Sequence, residues 1–348
     1  MKIIDNIIGR NVLVSPLDWG LGHAARSIPI IRRLLLHNNV IVACGNSAYN
    51  FLKKELPEVE IIQIDDWKIK YPKHKINLFT ILGWVPVMIR NTWHEHKTVK
   101  KIILSHRINC IVSDNRYGLL FKGIDCYIIT HQVYPKMPQY LGFLENICGF
   151  FFKKYLSKFH KVLIPDFDSN TNLSGSLAAE RNLHPDKFVK IGILSRFCEY
   201  NQTVHFYNEN DVMVLLSGQE NQRTILENML IDTLDGCRHN VLFVRGVSNT
   251  KSTIYDTSNI RFCNILSGNK LIHAIKSSKV IICRAGYSTL CDMVALNKKC
   301  VVVIPTPGQT EQEYLANRLN GQFGFKSVLQ DNKNFSTSIL KLLTLYLD

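Results

Sequence analysis

The sequence predicts an α/β fold of two Rossmann-like parallel-sheet domains facing a central cleft. Three observations carry this expectation. Short β-rich runs alternate with helical stretches along most of the chain, as the βα units of a parallel sheet do. The alternation breaks once, over residues 166–210, where Ser, Asn and Asp are frequent, and then restarts. Finally, residues 279–317 hold two successive strand–loop–helix units. Their loops must open on one edge of a parallel sheet, the edge where α/β proteins bind ligands.

The first strand is Asn11–Ser15, followed by a helix over Ala24–Leu36 with apolar positions at Ile28, Ile31 and Leu35. Val40–Cys44, Val59–Ile64, Cys110–Ser113, Tyr127–Thr130 and Val162–Ile164 continue as short strands. Structure resumes near Val189–Ile193, which reads as the first strand of a second domain. Then come Val212–Leu216, Val241–Val244, Ile260–Phe262, Val280–Cys283 and Val301–Ile304. Phe335–Leu347 is a short amphipathic helix that could pack back on the first domain. The division expected is an acceptor-side domain over 1–168, a connection over 169–190, a donor domain over 191–332 and a terminal helix over 333–348. At 348 residues each domain is long enough to bury its own core. No short-period repeat or low-complexity tract interrupts the reading.

The formal net charge of +14 favours an anionic partner: a nucleotide, a lipid headgroup or nucleic acid. The aromatic residues cluster with apolar ones and are not interleaved with Arg and Gly, which ranks a membrane surface ahead of nucleic acid. None of the ten cysteines forms a C-x-x-C pair, and Cys110, Cys283 and Cys300 sit inside apolar strands. A reducing, cytoplasmic compartment fits such usage. Asp5 and Arg10 interrupt the N-terminal apolar run, so no signal peptide is read there. The longest apolar stretch, Leu78–Ile89, contains Pro86 and falls short of the ~18–20 residues that span a bilayer.

Six constellations bear on chemistry. In Val280–Asp292 a buried strand enters the glycine turn Arg284–Ala285–Gly286, and a helix opens with hydroxyls at Tyr287, Ser288 and Thr289. Unpaired N–H groups and the positive dipole end at such a helix start suit a phosphate. Asp292, one turn on, could accept hydrogen bonds from vicinal ribose hydroxyls. The next strand ends in Pro305–Thr306–Pro307–Gly308, before the polar helix start Gln309–Glu313. This pair of units reads as a nucleotide-sugar clamp.

The run Asp18–Arg26, with Gly20, Gly22 and His23, directly follows strand one. Its glycines let a backbone approach a ligand closely. It formally matches G-x-G-x-x-A, but dinucleotide binding needs an acidic residue at the end of strand two, where Ala43–Cys44–Gly45–Asn46 has none. Asp114 ends a buried strand at the same sheet edge and either orients the His23 imidazole or caps the next helix. His131, after the following strand, is a competing base, an acceptor contact or a satisfied buried polar group. In Leu215–Arg223, Ser217, Gly218 and Arg223 could hold a diphosphate, or form an ordinary βα turn. Asp166–Phe167–Asp168 has the D-x-D spacing of some metal-binding sugar transferases, a pattern frequent by chance. Lastly, Tyr134–Lys161 combines Tyr140, Phe143, Ile147, Phe151, Phe152, Tyr155 and Phe159 with Lys153, Lys154, Lys158 and Lys161. It is either an anionic-membrane contact or a core helix with a solvated lysine face.

On these motifs the chain resembles the two-domain glycosyltransferases of the GT-B type, and most closely the MurG-like, family 28 group that binds UDP-sugars. The resemblance is specific at residues 18–26, 215–223 and 282–317. His23 falls on the His of the family's glycine-rich loop. Asp292 lies six residues after Gly286, where the family usually has Glu. Gln312 and Glu313 lie where the family has adjacent glutamines that contact the donor sugar, so Glu313 departs from an amide. The expectation is inverting, metal-independent transfer from a nucleotide sugar, UDP-linked by preference, to an acceptor hydroxyl, and the basic and aromatic residues of the first domain favour a lipid-linked or membrane-proximal acceptor. It implies no cofactor beyond that co-substrate, no metal and no nucleic-acid partner. It implies His23 as base with Asp114 behind it. The rival readings are a nucleotide-sugar epimerase of the same fold, a non-catalytic nucleotide-sugar sensor and a nucleic-acid-binding module.

Overall fold

Runs of buried β-branched residues set the strands of this protein, which we describe from a computed structural model. It describes residues 1–18, 21–65, 78–134, 136–137, 139–168, 171–178, 184–198, 209–218, 220–247, 256–331 and 333–348. The chain divides into two units, Met1–Arg196 and Phe197–Asp348.

In the first unit, α1 (Lys2–Asp5) precedes β1 (Asn11–Pro16), α2 (Leu21–Leu35), β2 (Asn39–Cys44), α3 (Asn46–Glu55) and β3 (Glu60–Gln63). After the long helix α4 (Leu78–Ser105) come β4 (Cys110–Asp114), β5 (Asp125–Ile129), α5 (Glu145–Leu156), β6 (Lys161–Ile164) and β7 (Phe188–Lys190). The strands form one parallel sheet in the order β3-β2-β1-β4-β5-β6-β7. Successive side chains of a strand point to opposite faces, and the core divides accordingly. Val12, Val14, Val40, Val42 and Val112 join the layer under α2 and α3. Leu13, Ile41, Ile111, Ile128 and Val162 join the opposite layer with Val99, Ile102 and Leu156. Strands covered on both faces read as continuous apolar runs, not as alternating ones. The buried hydroxyls within them bond neighbouring backbone: Ser15 donates to Ala43 O at 2.6 Å and Ser113 to Tyr127 O at 3.2 Å.

The second unit contains β8 (Asn210–Leu215), α6 (Gln222–Leu234), β9 (Val241–Val244), β10 (Ile260–Cys263), α7 (Gly268–Ser277) and β11 (Ser278–Arg284). It ends with α8 (Tyr287–Ala295), β12 (Val301–Ile304), α9 (Thr310–Leu319), β13 (Phe325–Ser327) and α10 (Phe335–Leu347). Its parallel sheet runs β10-β9-β8-β11-β12-β13. Val212, Val214, Phe243, Ile282 and Val302 pack on Leu226, Leu230 and Leu234 of α6.

Two expectations about the domain ends are corrected. Phe188–Lys190 pairs in parallel with Val162–Ile164, so the strand expected to open the second domain instead closes the first sheet. Phe335, Ile339 and Leu343 of α10 lie in the core of the second unit, where α10 packs on α6 and β11. The amphipathic stripe of that helix was legible, but the surface that covers it was not. The short edge strand β13 carries too few apolar residues to stand out in the sequence.

Candidate active site

In each sheet the chain order reverses once, and the motif residues gather at that reversal. In the first sheet β1, β2 and β3 run outward one way, while β4 to β7 run the other. Loops leaving the two strands at such a point part and leave room for a ligand. Pro16 is paired in register with Asp114, so the Asp114 carboxylate ends β4 beside the loop that leads into α2. Asp18 anchors that loop, its Oδ2 accepting the Ser47 and Ala48 N–H groups at the start of α3 at 2.9 and 3.2 Å. Gly20 lies outside the described residues. Gly22 and His23 stand in the first turn of α2.

The structure brings His23, Asp114 and His131 together through a residue to which the sequence assigned no role, Arg26. His23 Nδ1 lies 3.1 Å from Asp114 Oδ1. Arg26 Nε donates to Asp114 Oδ2 at 2.6 Å and its Nη2 to Oδ1, a fork that engages both oxygens. Arg26 Nη1 reaches His131 Nδ1 at 3.2 Å. Arg26, Asp114 and His131 are buried, whereas the His23 side chain keeps 17% of its surface exposed. The partners fix the tautomers. A carboxylate only accepts, so neutral His23 carries its hydrogen on Nδ1 and keeps the Nε2 lone pair. A guanidinium only donates, so the His131 Nδ1 lone pair is already engaged. Behind this group, buried Arg116 donates to Pro16 O at 2.9 Å and to Glu95 Oε1 at 2.8 Å. Glu95 Oε2 accepts the Gly118 N–H at 3.1 Å. The pair ties α4 to the ends of β1 and β4.

The second sheet reverses between β8 and β11. Leu215 and Cys283 are partners in register, so the loops holding Ser217–Gly218 and Ala285–Gly286 leave side by side. Gly218 has φ +111, which demands glycine. Gly286 is different. Its φ of −77 suits any residue, and an added Cβ would meet only Thr289 Oγ1, at 3.9 Å. The protein's own packing does not require a glycine there, as expected where a ligand approaches the backbone. Tyr287 is buried, which leaves Ser288 and Thr289 as half-buried hydroxyls at the start of α8, with Asp292 also half-buried.

Four side chains of the motifs have partners within the protein. Arg223 is buried; its Nε donates to Glu220 Oε1 at 2.8 Å and its Nη1 to Glu227. Arg245 donates to the same buried Glu227 and, at 3.2 Å, to Asn264. Burial would lower the Arg223 pKa, but Glu220 and Glu227 outweigh it and raise it. Its guanidinium therefore braces α6 against the end of β9, and the sequence offered no sign that Glu227 would claim it. Gln312 Oε1 accepts the Thr306 N–H at 2.9 Å and Glu313 Oε1 the Gly308 N–H at 2.8 Å, so both side chains shape the loop after β12. Asp166 of the D-x-D run accepts the N–H groups of Phe167, Leu173 and Ser174 and is a buried loop organiser. Among the described residues no group of three or more His, Cys, Asp or Glu could hold a metal ion.

Burial alone would raise the Asp114 carboxyl. The charge of Arg26, then that of His23, and hydrogen bonds from both hold it well below the ordinary carboxylate range. A carboxyl depressed on folding contributes stability above its unfolded value, about 3.9, that is lost as pH falls below it. Wild-type unfolding free energy, followed by denaturant titration, is therefore expected to fall more steeply below about pH 4 than that of Asp114→Asn. Parallel slopes would contradict this.

Residues 238–346 match the model of the glycosyltransferase family 28 C-terminal domain, a span that includes β11, α8 and the loop after β12. No curated protein sequence matches the chain. Among solved structures, a Listeria monocytogenes protein provisionally assigned as a UDP-N-acetylglucosamine 2-epimerase aligns over 97% of this chain and 89% of its own, with 8% identity and a TM-score of 0.64. Phytolacca americana UGT2, complexed with UDP-2-fluoroglucose and pterostilbene, aligns over 99% and 91%, with 14% identity and a TM-score of 0.61. Acinetobacter baumannii MurG aligns over 98% and 91%, with 13% identity and a TM-score of 0.52. At such identities the likeness establishes the fold. With the family 28 match over residues 238–346, it supports a nucleotide-sugar glycosyltransferase of GT-B architecture.

Proposed function

We propose that the protein transfers a sugar, with inversion and without a metal, from a UDP-sugar to an acceptor hydroxyl. The observation that carries this reading is the hydrogen bond from His23 to Asp114 at the first sheet's reversal point. It leaves Nε2 as a lone pair on a partly exposed ring. That lone pair takes the proton of the acceptor hydroxyl as its oxygen attacks the anomeric carbon from the face opposite the phosphate. The bond from the anomeric carbon to the phosphate oxygen breaks, and UDP leaves. Asp114 holds the imidazolium. His131 is the weaker candidate for the base, because Arg26 occupies its Nδ1 lone pair.

The diphosphate is assigned to the N–H groups of Tyr287–Thr289 and the Ser217–Gly218 loop, the ribose to Asp292, and the sugar to the loop shaped by Gln312 and Glu313. Helix and loop N–H groups are fixed dipoles aimed at the developing charge, which is how a site stabilises a leaving group without a metal. A UDP-linked donor is supported by the UDP-2-fluoroglucose in the Phytolacca americana enzyme of the same fold. The Listeria monocytogenes neighbour keeps an epimerase reading in play. Incubation with UDP-sugars alone separates the two, since an epimer would form with no acceptor present.

An anionic membrane surface is the proposed docking partner of the first unit. The expected amphipathic stretch serves both of its readings. Phe159 is core, and Phe152 and Tyr155 pack against the core, whereas Phe143, Ile147, Phe150 and Phe151 are exposed beside Lys153 and Lys154. The Tyr140 side chain lies outside the described residues. Exposed aromatics next to lysines suit an interface with anionic lipid. Among the described residues no helix is long and apolar enough to cross a membrane.

A general base contributes ~10²–10⁴ in rate. His23→Ala is expected to lose turnover by about that factor while UDP affinity, read by calorimetry, is retained. Asp292→Ala is expected to weaken UDP binding instead. Unchanged turnover in His23→Ala would remove the base. Sedimentation with phosphatidylglycerol vesicles should retain the wild type and release a Phe143→Ser/Phe151→Ser variant, and equal retention of both would remove the membrane contact.

A further inference from the structure

We propose that Arg284 is a positioning residue whose buried, unbalanced charge serves as counter-charge to the donor diphosphate. The inference rests on the assignment of the diphosphate to the start of α8. Arg284 is the last residue of β11 and is 2% exposed. Its Nη1 donates to Pro305 O at 3.2 Å and to Gln330 Oε1 at 2.6 Å, and its Nη2 donates to Gln222 O at 2.7 Å. All three acceptors are neutral.

The other four buried arginines among the described residues each meet a carboxylate: Arg26 that of Asp114, Arg116 that of Glu95, and Arg223 and Arg245 that of Glu227. Arg284 meets none among the described residues. The carboxylates next in sequence to its partners are turned elsewhere. Glu220 accepts from Arg223 at 2.8 Å and from Thr224 at 2.9 Å. Asp331 Oδ1 accepts the N–H groups of Lys333 and Asn334 at 3.1 and 2.7 Å. The two arginines titrate accordingly. Glu220 and Glu227 raise Arg223, whereas burial alone pushes Arg284 down to about 10, which still leaves it a cation at neutral pH. A buried charge held only by neutral dipoles is costly, and an anion bound nearby offsets that cost.

The position of Arg284 says which anion. It ends β11 at the reversal of the second sheet, two residues before Gly286, from which α8 starts. Gln222 opens α6, the helix after the Ser217–Gly218 turn. Pro305 begins the loop after β12 that Gln312 and Glu313 shape. The guanidinium therefore ties the diphosphate side to the sugar side, and its N–H groups are turned to those loops. Its charge needs no contact to act. In surroundings that water screens weakly, a fixed charge reaches over several ångströms and adds to the N–H dipoles that open α8. It is in place before the ligand arrives, so no reorganisation is needed.

The test compares uridine with UDP, which share the nucleoside and differ in the charged diphosphate. Both affinities are read by ligand-observed NMR for wild type, Arg284→Gln, Arg284→Lys and Gln330→Glu. Arg284→Gln removes the charge and is expected to weaken UDP by about tenfold or more while uridine binding is unchanged. Arg284→Lys keeps the charge and should retain the preference for UDP. Gln330→Glu sets a carboxylate against the guanidinium and is expected to weaken UDP as Arg284→Gln does, again sparing uridine. A brace alone would give equal losses for uridine and UDP in Arg284→Gln and no loss in Gln330→Glu. Either result would overturn the proposal, and Gln330→Glu decides the matter should Arg284→Gln not fold. A wild type that binds UDP no tighter than uridine would instead remove the diphosphate assignment, and the proposal with it.

Discussion

A parallel sheet sends every strand's C-terminal end to one edge, and a ligand finds room there only where the chain order reverses. That constraint organises both units. In the first sheet it sets Asp114 at the end of β4 against the loop into α2. In the second it sets the Ser217–Gly218 turn beside Gly286 and the start of α8. A carboxylate and an imidazole gather at one reversal point. A glycine that the packing does not need and the start of α8 gather at the other. The residues proposed as base and as donor contacts stand at the same topological position of their respective sheets.

Buried charge holds these edges in shape. Arg26 pairs with Asp114, Arg116 with Glu95, and Arg223 and Arg245 with Glu227. Arg26–Asp114, Arg116–Glu95 and Arg245–Glu227 each join a helix to the C-terminal end of a strand or the loop after it, and Arg223–Glu227 lies within α6. Buried pairs contribute little net stability against an apolar alternative, but removing one partner is costly. Their use here is to fix direction. Arg284 differs in kind. It donates to Pro305 O at 3.2 Å, Gln222 O at 2.7 Å and Gln330 Oε1 at 2.6 Å, so neutral oxygens from two loops and the first residue of α6 converge on it. Burial pushes its pKa down to about 10, and it remains a cation. It sits two residues before Gly286, on the side of the second unit assigned to the diphosphate.

Much of this was legible in the sequence because apolar strand runs, glycine turns and polar helix starts are local signals. The strands from Asn11 to Ile304 and the meeting of His23 with Asp114 follow from them. What escaped was set by partners distant in the chain. Val189 joins the first sheet because Val162–Ile164 offers it an open edge. Phe335–Leu347 lies on α6 because that is where the second sheet's core is left uncovered. Arg223 was read as a diphosphate contact or part of an ordinary turn, and its pairing with Glu227, one turn along its own helix, had no sign in the sequence. Arg26 and Arg284 stood inside the quoted motifs, but a sequence does not distinguish a buried guanidinium from an exposed one.

The central claim is that a nucleotide diphosphate lies on the amide groups that open α8, beside the Ser217–Gly218 turn. A crystal structure with UDP tests it most directly. The account predicts phosphate oxygens within hydrogen-bond distance of the N–H groups of Tyr287–Thr289, with the ribose hydroxyls at Asp292. A diphosphate bound elsewhere, with those N–H groups and Asp292 making no contact with UDP, would contradict it.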